Sequence, residues 1–166
     1  MTEDAAENAI HAFISSRLDN ANSLLYGLPD YQIKRLQRIQ NTAARILTRT
    51  AKHDHITPVL KELHWLPVEK RIIYKIILLT YRCLHNLAPP YLSCLLELHE
   101  SERNLRSTQK FLLKAPKSNK KSFGDRAFTN AVPRLWNSLP LQIRQCKTLS
   151  SFKTNLKTHL FGKSYR

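Results

Sequence analysis

Apolar side chains recur at intervals of three and four residues through most of this chain, and that spacing constrains its fold more than any other feature. From residue 30 to 48, Ile33, Leu36, Ile39, Ala43, Ile46 and Leu47 fall on one side of a helix turning about 100° per residue. Lys34, Arg38, Arg45 and Arg49 lie within about 60° of one another on the other side, a basic stripe backing an apolar seam, with Arg35 beside it. Residues 5–26 carry the same periodicity through Ile10, Phe13, Ile14, Leu18, Leu24 and Leu25. Glu3, Asp4 and Glu7 sit where acids favour a helix start, and Gly27-Leu28-Pro29 stops the run. Thr57-Pro58 reads as an N-cap followed by proline at the first helical position. Pro67 reads as the opening of the longest helix, to about residue 86, with Ile72, Ile73, Ile76, Ile77, Leu79, Cys83 and Leu84 inward. Residues 91–98, 125–136 and 149–161 supply three more helical segments, the last with Phe152, Leu156 and Leu160 on one face.

Three glycines in 166 residues leave little for a fold built on hairpins or phosphate-cradling loops. The predicted fold is mainly α, a multi-helix bundle with a small extended or hairpin segment near 105–123, where the periodicity lapses and residues 116–121 read as an exposed basic loop. Two lobes are expected, a helical one over 1–100 and a basic C-terminal one over 101–166, packed as one unit.

The formal charge is +15, and it is unevenly placed: residues 1–30 carry −4, 31–100 carry +6, and 101–166 carry +13 with only two acids. A field of that sign draws in polyanions, of which RNA and DNA are the obvious ones. The expected contacts to phosphate are Lys34, Arg35, Arg38, Arg45 and Arg49 on the second helix, then Lys117, Lys120, Lys121, Arg126, Arg134, Lys153 and Lys157. A modest solvating surface would explain a small basic excess but not this concentration.

The chemistry of catalysis is thin. Asp4, Asp19, Asp30, Asp54 and Asp125 are scattered over separate elements, and no adjacent Asp-Asp pair offers the carboxylates that two-metal phosphoryl transfer needs. Gly27, Gly124 and Gly162 are isolated, so no phosphate loop is present. Cys83, His85, Cys94 and His99 form a spaced series, but without a C-x2-C half-site they read as buried thiols and ordinary histidines rather than zinc ligands. His53-Asp54-His55 reads as turn and cap residues, and Ser15, Ser16, Ser150 and Ser151 as caps or surface hydroxyls. Trp65 and Trp136, each beside a Leu-Pro or Asn-Ser-Leu-Pro corner, read as core anchors rather than base-stacking platforms. The expectation is a non-enzyme with no cofactor and no metal. An odd cysteine count, with no cleavable apolar leader, points to a reducing intracellular compartment, nuclear or cytoplasmic. The apolar run at 72–79, broken by Lys75, is too short for a bilayer, which takes about 20 residues, so no membrane partner is expected.

Several strings, in order, resemble the region after the polymerase palm in non-LTR retrotransposon reverse transcriptases of the chicken-repeat and jockey-like kind. They are Ala12-Phe13-Ile14-Ser15-Ser16-Arg17-Leu18-Asp19, Leu36-Gln37-Arg38-Ile39-Gln40-Asn41-Thr42-Ala43-Ala44-Arg45, His55-Ile56-Thr57-Pro58-Val59-Leu60 and Leu63-His64-Trp65-Leu66-Pro67-Val68. Leu87-Ala88-Pro89-Pro90-Tyr91-Leu92, Gly124-Asp125-Arg126-Ala127-Phe128, Pro133-Arg134-Leu135-Trp136-Asn137-Ser138-Leu139-Pro140 and residues 150–161 continue the resemblance, from about residue 9 to the C-terminus. The resemblance implies the thumb and tail of an RNA- and DNA-engaging polymerase, severed from its catalytic palm and endonuclease. Asn20-Ala21 departs from the Tyr-Cys usual in the family after the aspartate, and residues 1–7 have no counterpart, as in a reading frame begun inside a 5′-truncated copy. The leading expectation is therefore non-catalytic, low-specificity binding of RNA or DNA backbone. The alternatives are a helical module that binds another protein through exposed apolar faces, or a retroelement remnant without selected function.

Overall fold

The computed structural model describes residues 3–99, 111–116 and 124–165. Among these the fold is mainly α, as the periodicity predicts. Pro29, in extended backbone, precedes Asp30, and Arg49 closes the run that follows in a left-handed turn at φ 54°, its N–H bonded to the Arg45 carbonyl. The resulting helix α3 (Asp30–Thr48) matches its expected limits, and at 19 residues it is longer than α5 (Val68–Leu84), which was expected to be the longest.

The first segment differs more. α1 (Glu3–Ile10) passes through a π-helical turn (His11–Ser15) into α2 (Ser16–Asp19), where the run ends instead of reaching residue 26. A π turn holds one residue more than an α turn, so the apolar stripe loses its phase there. Ser15 is buried, whereas Phe13 is 76% exposed. Asp19 fixes the stop: its carboxylate accepts from Arg71 through both oxygens, Nε at 2.8 Å, and Asn22 Nδ2 donates to it at 3.3 Å. Ala21 then turns left-handed at φ 51° into a 3-10 turn (Asn22–Leu25) that leaves Leu24 in solvent. An L-residue there costs about 1–2 kcal/mol, and the charged network around Asp19 opposes that cost.

α4 (Ile56–Glu62) begins one position ahead of the expected cap: His55 stands at the boundary in extended backbone, and Thr57-Pro58 lie within the first turn. Proline is tolerated there because the first amides of a helix have no intrahelical acceptor to lose. α5 starts at Val68, after Pro67, with the Val68 N–H received by Gln37 Oε1 at 2.8 Å. α6 (Pro90–Ser93) is shorter than expected, and α7 (Phe128–Asn137) holds Pro133 in its interior after a 3-10 turn (Gly124–Arg126). α8 (Leu141–Arg144) was not foreseen, and α9 (Leu149–Ser164) runs past its expected end. Of the expected extended segment, a single antiparallel bridge between Leu98 and Leu113 is present among the described residues; 105–110 and 117–123 lie outside them.

The chain divides into two compact units, Met1–Ile73 with His159–Arg166, and Tyr74–Thr158, rather than at residue 100. α5 and α9 each give turns to both, which is why no linker composition marks the division. In the first unit Ile10, Ala43, Ala44, Leu47, Leu60 and Trp65 form the core. The two alanines carry no bulk, which lets α4 lie close on α3. The His11 ring meets Trp65 edge-on at 5.9 Å, Phe161 stacks on His64 at 5.6 Å, and the Tyr165 hydroxyl donates to the Trp65 carbonyl. In the second unit Tyr81 stacks on Phe152 at 4.1 Å, with Trp136 tilted at 5.9 Å from the same ring. The polar ends of these aromatics are satisfied: Tyr81 O–H donates to the Cys146 carbonyl at 3.0 Å and Trp136 Nε1–H to the Phe111 carbonyl at 2.8 Å. Both tryptophans are thus core anchors. No helix among the described residues is long and apolar enough to cross a membrane.

Candidate nucleic-acid interface

α3 is turned on its axis relative to the expected seam. Its buried residues are Gln40, Ala43, Ala44 and Leu47, while Ile39 and Ile46 are 48% and 61% exposed. The inward face is centred some 40° away from the centre of the apolar residues, and glutamines account for the difference. Gln40, 1% exposed, donates to the Leu66 carbonyl at 2.9 Å, and Gln37 donates to Gln40 at 2.9 Å while receiving the Val68 amide. This ladder holds the corner between α4 and α5, and it can do so only if both glutamines face inward.

The rotation brings Tyr31, Arg35, Arg38, Thr42 and Arg45 onto one outward stripe in alternating steps of four and three residues, and Arg49 follows at the left-handed turn that ends the helix. Arg35, Arg38 and Arg49 are exposed, and among the described residues none has an ion-pair partner. Arg45 is partly occupied: Nη2 donates to the Asp54 carbonyl at 2.9 Å and Nε to the Ala51 carbonyl at 3.4 Å, tying down the loop after α3. That tie brings Lys52 into an open groove shared with Arg38, Asn41, Thr42, Arg45, Ile46 and Thr50. Lys52 was missed from the sequence because a loop lysine has no periodicity to place it. Lys34 belongs elsewhere, in a separate groove with the carboxylates of Asp30 and Glu69 and the apolar side chains of Leu25, Ile33, Ile72 and Ile73.

Among the described residues, the cations expected in the second unit do not form a comparable row. Arg134 is engaged by Asp125, Nη2 to Oδ1 at 2.9 Å, joining α7 to the turn before it. Arg126 is exposed on that turn, and Lys153 and Lys157 stand one turn apart on the outer face of α9. Lys117, Lys120 and Lys121 lie outside the described residues. Arg144 is buried, which lowers its pKa, and it donates to the Leu139 carbonyl at 3.1 Å and the Phe111 carbonyl at 3.4 Å, a structural use of a cation.

Among the described residues no three His, Cys, Asp or Glu side chains come together as metal ligands. Cys83 and Cys146 are buried, and burial pushes the Cys83 thiol up; Cys94, expected inside, is exposed at the end of α6. No family model, no curated protein and no solved structure matches the chain.

Proposed function

We propose that this chain binds the phosphate backbone of RNA or DNA with low sequence specificity and does no chemistry on it, acting as the thumb-and-tail region of a non-LTR reverse transcriptase that it resembles in sequence. The observation that carries the reading is the outward face of α3, where Arg35 and Arg38 stand exposed without an ion-pair partner and Arg38 shares an open groove with Arg45 and Lys52. Exposed cations hold single counter-ions weakly, because water and salt screen them within about 8 Å at physiological ionic strength. A polyanion gains by displacing several counterions at once, which makes a row effective where one residue is not. The resemblance implies a polymerase that acts in the nucleus, and on this reading the chain works in the nucleus or the cytoplasm.

The test is a salt titration of fluorescence anisotropy with labelled RNA and DNA. Engagement of four cations on duplex DNA gives a log–log slope near −3.6, since each neutralised phosphate contributes about 0.9. A flat response overturns the reading.

A second reading, a module that docks another protein, rests on the exposed Leu87, Tyr91 and Leu95 around α6. It predicts a stoichiometric protein complex that survives the salt at which polynucleotide binding is lost.

A further inference from the structure

The outward face of α3 carries more than charge. Ile39 and Ile46, seven residues apart and 48% and 61% exposed, form an apolar ledge along one flank of the arginine row, and Tyr31, 61% exposed, stands at its N-terminal end. The row itself advances by about 5 Å per step at 1.5 Å of rise per residue, from Arg35 through Arg38 and Thr42 to Arg45, with Arg49 at the turn that ends the helix. A straight row of cations with a parallel apolar ledge matches a strand whose phosphates run along one edge and whose base faces are open on the other. A duplex keeps its base faces stacked inside, so a helix lying along its backbone meets phosphate and sugar and leaves the ledge unused. Single-stranded polynucleotide presents both, and side chains that cover base faces beside a basic track, aromatic ones above all, hold such strands without sequence readout.

We propose that α3 is a single-strand track: Arg35, Arg38 and Arg49 engage phosphates along the strand, and Ile39, Ile46 and Tyr31 cover exposed base faces. This rests on the polynucleotide-binding reading above and narrows it to one substrate class, single-stranded RNA or DNA. The orientation of α3 set by the inward glutamines is what makes the track, since apolar periodicity alone would have buried the ledge.

The experiment compares the intact chain on mixed-sequence 20-nucleotide single-stranded RNA, single-stranded DNA, and the corresponding blunt duplexes, at one ionic strength. Single strands are expected to bind more tightly than duplexes. The Ile39→Ser/Ile46→Ser variant, altered only at exposed positions, is expected to lose roughly fivefold on single strands, the order of partly burying two aliphatic side chains, and less than half of that on duplexes. Arg35→Gln/Arg38→Gln/Arg49→Gln is expected to lower the single-strand salt slope by about 2, at roughly 0.7 per phosphate. Circular dichroism confirms that each variant keeps its helices. RNA above DNA, or the reverse, identifies which source of single strand the track prefers and leaves the class intact. Equal or tighter duplex binding, or equal losses on both substrates in the serine variant, overturns the track while leaving backbone binding standing. Absence of any polynucleotide binding removes the earlier reading as well. Single-strand affinity untouched in the serine variant shows that the ledge does not meet the strand and overturns the proposal.

Discussion

Replacing Gln40 by methionine isolates the bond that sets the orientation of α3. The side chains are close in volume, so no cavity opens, and the change reduces to its hydrogen bonds. The Leu66 carbonyl loses the donor at 2.9 Å in a buried setting, and an unpaired buried acceptor costs about 1–3 kcal/mol. Gln37 Nε2 loses an acceptor on Gln40 but keeps Asn41 Oδ1 at 2.8 Å, so its share is small. The expected destabilisation is therefore about 2 kcal/mol, equivalent to roughly 4–8 °C in Tm for a chain of this size. Urea unfolding followed by circular dichroism at 222 nm reads it as a lower midpoint at constant m. Gln40 faces away from the arginine row, so at a temperature where the variant is folded its salt slope on polynucleotide should match that of the parent chain. A midpoint that stays within about 0.3 kcal/mol of the original would refute the reasoning, because a satisfied buried bond cannot vanish without consequence.

Two further outcomes follow from local geometry. Asn137 brackets Leu113, accepting its N–H and donating to its carbonyl, both at 2.9 Å. Asn137→Ala should cost about 1–3 kcal/mol and speed tryptic cleavage after the exposed Lys114; unchanged cleavage and midpoint would count against the bracket. Burial pushes the Tyr165 phenol from 10.0 up to about 12. Because the folded state holds the proton more tightly, the stabilisation is complete below pH 10 and is lost as pH rises from 10 towards 12. Thermal melts across that window should fall more steeply for the parent chain than for Tyr165→Phe, and identical slopes would contradict the assignment.

Much of this fold was legible because periodicity and punctuation agreed. α3 has its limits where Pro29 and Arg49 place them, and the inward residues of α9, Phe152, Leu156 and Leu160, are those the pattern selects. What escaped had other causes. The π turn at His11–Ser15 shifts a stripe without any change in composition, and the stop at Asp19 depends on Arg71, far away in sequence. Hydropathy could not reveal that Gln37 and Gln40 face inward, since the reason lies in carbonyl and amide groups of a corner 26 and 31 residues on. The same blindness affected the candidate interface. Sequence picks out cations but not their engagements, so Arg134 with its carboxylate partner and Arg45 with its loop carbonyls looked the same as the unpaired Arg35, Arg38 and Arg49. The exposed Ile39 and Ile46, which turn a charged stripe into a two-sided track, were expected inside.

The most direct test of where polynucleotide lies is photo-crosslinking of the intact chain to single-stranded RNA carrying 4-thiouridine, with adducts mapped by mass spectrometry. Adducts should concentrate between Tyr31 and Lys52, with Tyr31 and the peptide around Arg38 and Ile39 foremost. Adducts confined to residues 124–165, with α3 unmodified, would contradict the account.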